Sequence, residues 1–148
     1  MAKLKPRRRG KSPGDQPGSY QVFVSHATAD KWIARVICEK LEAVGAKTFR
    51  DDRDIKSGDD IPEEIHRQIR RSNELLVLLT PQSVERRWVT LEIGMALGMS
   101  KRKRIVVVLY HVEVDPIPGM LKSKKAISLN DIDTYFAEVS SRVKEQRP

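Results

Sequence analysis

Glu74-Leu-Leu-Val-Leu-Leu-Thr80, closed by Pro81, is the stretch that decides the fold. Its large apolar residues stand side by side with no polar alternation, so both faces of the segment must be covered. The run is short for a buried helix, and Pro81 lacks the amide needed to extend regular pairing. The segment therefore reads as an interior strand. Working outward, Ile105-Val-Val-Val-Leu-Tyr110 is a second strand of the same kind, and Tyr20-Gln-Val-Phe-Val-Ser25 a third. Lys47–Arg50 and Ala126–Leu129 are shorter strand candidates.

Helical patterns separate these strands. Asp30–Val44 carries Ile33, Val36, Ile37 and Leu41 on one face, and Gly45 is placed to end it. Asp60-Ile-Pro-Glu63 reads as a capping box, with Pro62 in the first turn of a helix that runs to about Arg71. Trp88–Ser100 has helical spacing, and Asp131–Glu145 forms a last helix. Apolar strands alternating with helices imply an α/β fold: a flavodoxin-like, doubly wound, five-stranded parallel sheet with helices on both faces. Such sheets bind ligands beyond the carboxyl ends of their strands, near the switch point. In this chain those ends lead into His26–Asp30, Arg50–Asp60, Thr80–Arg87 and His111–Met120.

Composition sets further bounds. The 148 residues are 39% hydrophobic and 32% charged, which suits one globular domain. Residues 1–19 hold six basic residues against Asp15, so five of the eight net positive charges reside there. That stretch has few large apolar residues and is expected to be a disordered basic tail, leaving 20–148 as the folded domain. With the charge concentrated in the tail, the high pI argues only weakly for a nucleic-acid partner. Lys101-Arg-Lys-Arg104 reads as a solvated basic loop, with a phosphate or nucleic-acid contact as the alternative. Cys38 is the single cysteine, which excludes an intrachain disulfide, and His26, His66 and His111 are too scattered to suggest a metal. No apolar run reaches the ~18–20 residues of a membrane span, and the tail lacks the apolar core of a secretory signal. The expectation is a soluble cytoplasmic protein without a membrane partner.

One carboxylate stands out. In Trp88-Val-Thr-Leu-Glu92-Ile-Gly-Met-Ala-Leu-Gly-Met-Ser100, Glu92 is the only charge. An unpaired buried acid is costly, so such a residue either reaches water or a cation at the helix edge, or serves a ligand. Trp88 lies four residues earlier and shares its helix face. An aromatic plane beside a half-buried acid suits a flat cationic ring and its attached sugar.

Several motifs taken in order resemble the Toll/interleukin-1 receptor (TIR) domain, and within it the bacterial NAD-cleaving type. Tyr20-Gln-Val-Phe-Val-Ser-His26 is similar to the family's first box. Phe49-Arg-Asp51 with Arg53-Asp-Ile-Lys-Ser-Gly58-Asp resembles the second strand and the long loop after it. Trp88-Val-Thr-Leu-Glu92 is similar to the catalytic turn of TIR enzymes that cleave NAD. There are departures: Gln21 replaces a usual acid, Ser57 replaces a proline common in receptor domains, and the late Phe-Trp box is missing. These losses weaken a receptor-type adaptor reading and leave the enzyme turn intact.

The resemblance implies an NAD+ glycohydrolase with Glu92 as catalytic residue and NAD+ as substrate, with no cofactor and no metal. The product would be nicotinamide with ADP-ribose or a cyclic ADP-ribose signal, in anti-phage or stress defence. Trp88, Phe49, Ser25, His26 and Asp51 are the candidate substrate contacts. For Trp88 and Phe49 core packing is the alternative, and for His26 a structural loop role. Amides at the start of the first helix are suited to phosphate, although no Gly-x-Gly-x-x-Gly fingerprint is present. Arg53, Asp54 and Gly58 would form an assembly loop for TIR–TIR self-association, with an activating protein or ligand sensor as a further partner. The rival readings are a non-catalytic TIR–TIR scaffold or virulence mimic, and a nucleoside hydrolase on the same sheet.

Overall fold

The computed structural model describes residues 19–50, 62–83, 103–113 and 126–146. Within them lie strands β1 (Gln21–Ser25), β2 (Lys47–Arg50), β3 (Glu74–Leu79), β4 (Arg104–Leu109) and β5 (Ala126–Ser128). Helices α1 (Lys31–Ala43), α2 (Glu63–Arg71) and α3 (Ile132–Gln146) complete the described elements. The strands form a single parallel sheet in the order β2-β1-β3-β4-β5. That order is the flavodoxin-like one, and its switch point falls between β1 and β3. The expected Trp88–Ser100 helix lies outside the described residues, as do 1–18 of the expected tail.

Burial follows the pleat. Val22, Val24, Leu76, Leu78 and Val108 face one way, onto Ala34, Ile37, Cys38 and Leu41 of α1 and Tyr135, Phe136, Val139 and Val143 of α3. Phe23, Leu75, Val77, Leu79, Ile105 and Val107 face the other way, onto Ile65 and Ile69 of α2. Both faces of the central strands are therefore covered, which is why β3 has no polar alternation. Cys38 is a buried free thiol in this packing. Among the described residues no helix is long and apolar enough to cross a membrane.

Local chemistry explains the ends. Gly45 adopts φ 99°, which only a residue without Cβ takes at little cost. Its amide reaches Glu42 O at 3.0 Å and that of Ala46 reaches Leu41 O at 3.1 Å, the paired bonds of a Schellman cap. Pro62 departs from the expectation. It is the N-cap of α2, with ψ 139°, rather than a residue of its first turn, so Glu63 is the first helical position. The extended backbone at Pro62 shifts the helix start and removes the expected Asp60…Glu63 box register.

Polar residues lock the amino-terminal end of the sheet. Gln21, where an acid is usual in the family's first box, is buried and donates to Gln68 Oε1 at 2.9 Å and Ser72 Oγ at 3.0 Å. It thereby ties β1 to the end of α2. Half of the basic run is absorbed in the same way. Lys103 Nζ donates to the carbonyl oxygens of Ile69 and Ser72 at the α2 terminus. Burial pulls the Lys103 amine below its ordinary value. Arg104 Nε sits 3.7 Å from Glu74.

Glu74, at the start of β3, has no exposed surface. Tyr20 Oη donates to its Oε1, Tyr135 Oη to its Oε2 at 2.6 Å, and Arg142 Nη1 to Oε1 at 2.5 Å. Burial, reinforced by Glu74, holds both phenols well above their usual value, so they remain donors. Burial opposes the charge on Arg142, but Glu74 outweighs it and raises the guanidinium further. The buried carboxylate is thus fully paired, the condition under which burying a charge is tolerable.

Candidate functional site

The carboxyl end of the sheet is built differently. Ser25 ends β1 beside Val77 of β3, at the switch point. It is 1% exposed, and its Oγ finds no hydrogen-bond partner among the described residues. A buried hydroxyl left this way at the ligand edge of a doubly wound sheet is a candidate ligand contact. His26 follows, also buried. Its Nδ1 lies 2.7 Å from the Ala27 carbonyl oxygen. A carbonyl only accepts, so the proton is assigned to Nδ1.

The chain then turns through Thr28–Asp30 into α1. The expected open phosphate cradle is partly closed here. Asp30 N–H donates to Ala27 O at 2.9 Å and the Lys31 amide to Thr28 O. Asp30 itself is 7% exposed. Its Oδ2 accepts from Thr80 Oγ1 at 2.5 Å. Thr80 Oγ1 in turn accepts from Gln82 N at 3.1 Å, and Thr80 N–H donates to Ser83 Oγ at 2.8 Å. These bonds join the loop after β1 to the loop after β3.

Phe49 lies on β2 opposite Phe23, with ring centroids 5.4 Å apart and planes at 33°. It packs half-buried on the α2 face, below the level of Ser25, so the described structure gives it a packing role. Arg50, the last residue of β2, reaches Lys31 O at 3.3 Å and draws the end of β2 toward the start of α1. Ser25 and His26 are thus brought together with Asp30 and Thr80, and Phe49 lies on the neighbouring strand at the level of Phe23. Trp88, Glu92 and Asp51, and the loop residues Arg53, Asp54 and Gly58, lie outside the described residues. A cavity of about 400 Å³ opens beside His111, Glu113 and Ser128, at the ends of β4 and β5 rather than over β1. Among the described residues no His, Cys, Asp and Glu group is arranged to hold a metal.

Asp30, Thr80 and Ser83 were not foreseen as a connected group. Thr80-Pro-Gln-Ser83 carries the look of a polar turn, but nothing in it points to a partner fifty positions upstream.

The sequence matches the family model for the TIR domain over residues 22–142, and the chain belongs to that family. It is 27% identical over 124 residues to the NAD(+) hydrolase TcpA of a Theionarchaea archaeon, covering 80% of this chain and 38% of that protein. It is 28% identical over 94 residues to the 2′ cyclic ADP-D-ribose synthase BtTIR of Bacteroides thetaiotaomicron, covering 62% and 33%. The chain thus spans about a third of the length of these curated relatives. The fold matches the crystal structure of the TIR domain of the Toll-related receptor TRR-2 from Hydra magnipapillata. That match has a TM-score of 0.61 and 23% identity, over 88% of this chain and all of that one.

Proposed function

We propose that this TIR domain cleaves NAD+ at the nicotinamide–ribose bond. The observation that carries the reading is the retained Trp88…Glu92 turn in a chain whose relatives include an NAD(+) hydrolase and a 2′ cyclic ADP-D-ribose synthase. The switch-point position of the buried Ser25 hydroxyl supports it.

In this reaction the C1′–N bond breaks and the pyridinium keeps the bonding electrons, leaving as neutral nicotinamide. The leaving group needs no acid. The ribose carbon gains positive character, and a fixed carboxylate stabilises it. Glu92 takes that role and accepts hydrogen bonds from the ribose hydroxyls. Trp88 flanks the nicotinamide or supports Glu92. Ser25, His26 and Asp51 contact the remainder of the dinucleotide. Water then attacks C1′ and loses a proton to give ADP-ribose, or a hydroxyl of the same molecule does so and closes a ring. No cofactor enters this scheme. We place the activity in the cytoplasm, in a defence or stress response, with TIR–TIR assembly through Arg53, Asp54 and Gly58 or an activating partner making it conditional.

The test is chromatography of NAD+ incubated with the protein across a dilution series, with Glu92→Gln in parallel. Nicotinamide release by the unaltered chain, rising per molecule with concentration and lost in the variant, is the expected result. An unaltered chain that leaves NAD+ intact at every concentration would instead favour a non-catalytic TIR–TIR module. Equal turnover by both proteins would remove Glu92 from the mechanism.

A further inference from the structure

Asp30 immediately precedes α1, where an aspartate ordinarily accepts a hydrogen bond from the amides of its own helix. Here the side chain makes no such cap bond. Its carboxylate instead crosses from the loop after β1 to the loop after β3 and accepts from Thr80 Oγ1 at 2.5 Å. Both residues are buried, Asp30 at 7% and Thr80 at 1% exposure. A hydrogen bond to a carboxylate shielded in this way is stronger and more directional than a neutral one.

Thr80 passes the constraint on. Its Oγ1 accepts from Gln82 N at 3.1 Å, and its own amide donates to Ser83 Oγ at 2.8 Å. The Ser83 hydroxyl donates to Leu78 O at 3.0 Å, and the Ser83 amide to Thr80 O at 3.0 Å. The turn is thereby tied both to the end of β3 and, through Asp30, to the segment carrying Ser25 and His26. Five residues beyond Ser83 the sequence reaches Trp88, and nine beyond it Glu92.

We propose that Asp30 is a positioning residue for NAD+ cleavage: through Thr80 it fixes the turn after β3 against the segment that carries Ser25 and His26. The inference rests on the function proposed above for Glu92. Its physical basis is the sensitivity of catalysis to placement, since a misplacement of about 1 Å can cost on the order of 10²-fold in rate.

The experiment compares Asp30→Ala, Thr80→Val, their combination and Asp30→Asn. Each of the first two should lower kcat for NAD+ about tenfold or more while KM changes less than about twofold. Because both sever one link, the combination should be no worse than the more damaged single variant. Asp30→Asn should recover most of the kcat, since the amide oxygen still accepts from Thr80. Amide exchange at Gln82 and Ser83 should quicken about tenfold in Asp30→Ala while β1 and β3 stay protected. Should Asp30→Ala fail to fold, Thr80→Val, which keeps the side-chain volume, carries the same comparison.

A lower melting temperature with unchanged kcat in the folded variants would reduce Asp30 to a structural residue and overturn the proposal. Additive losses, or unchanged exchange at Gln82 and Ser83, would do the same. Glu92→Gln in the same assay separates the two readings. If it retains full turnover, Glu92 leaves the mechanism, and if the unaltered chain leaves NAD+ intact the proposed function fails; in either case the exchange measurement still decides whether Asp30 braces the turn.

Discussion

The two ends of the sheet treat buried polar groups in opposite ways. At the amino end, Glu74 is surrounded by two phenols and a guanidinium, and its charge is consumed by the fold. At the carboxyl end, Ser25 carries a buried hydroxyl with no hydrogen-bond partner among the described residues, and Asp30 bonds across to another loop instead of capping its own helix. Glu74 and Glu92 are each an acid beside apolar residues, Glu74 at the head of the run Leu75–Leu79 and Glu92 between Leu91 and Ile93. Their difference teaches that such a pattern marks a costly charge without saying whether a protein partner or a ligand compensates it. Position in the chain separates them: Glu74 begins β3 at the amino end of the sheet, whereas Glu92 comes after β3 in the sequence.

The most direct way to break this contrast is to neutralise both acids. Glu92→Gln should lower NAD+ cleavage by about 10²–10³-fold, the scale of losing one electrostatic contact in an active site, with the unfolding midpoint nearly unchanged. Comparable cleavage in variant and parent would place both acids in the structural class. Glu74→Ala should do the reverse. It takes the acceptor from two phenols and leaves Arg142 with Glu138 alone, and should cost about 1–3 kcal/mol of stability in denaturant unfolding. Cleavage per folded molecule should hold. A collapse of turnover in fully folded Glu74→Ala would mean that the two ends are coupled.

Alkaline titration sharpens the amino-end picture by a smaller amount. Tyr135 is held above its ordinary value, foremost by burial and then by the Glu74 charge. A phenol raised in the folded state contributes stability that is full below the unfolded value of about 10 and is lost as pH climbs toward the folded value. Stability should therefore fall above about pH 10. Replacing Tyr135 with Phe should flatten that decline by up to about 1.4 kcal/mol per pH unit, read from denaturant curves between about pH 9 and 11. An unchanged slope would show that Tyr135 is not the titrating group. The smallest effect is expected from residues 1–18, the basic stretch that precedes β1 in the sequence. A chain starting at Ser19 should keep its specific activity at moderate salt, where diffuse charge is screened. Loss of cleavage on that truncation would bring the tail into the site or the assembly.

Much of the architecture is legible residue by residue. The unbroken run Leu75–Leu79 requires cover on both faces, and the cores on either side supply it. Gly45 marks a helix end because the turn there needs a positive φ. Pro62 misleads because proline serves equally well before a helix or within its first turn, and the backbone on either side decides which. Ser25 and His26 are legible as edge residues from their place after the first strand, but the state of their polar atoms is not. Phe49 is ambiguous from sequence, and the structure shows its packing on Phe23.

By itself the sequence determined the order of the described strands and helices, the parallel sheet and the family, because these follow from periodicity, turn chemistry and motifs within short windows. Only the tertiary structure decided which polar residues are spent on the fold. Asp30 meets Thr80 across fifty positions, and Glu74 meets Tyr135 and Arg142 across sixty-one and sixty-eight. Such partners are chosen by the parallel pairing of strands and the docking of α3. A hydrogen bond or ion pair exists only where folding brings two groups within about 3 Å, a distance that no local pattern encodes.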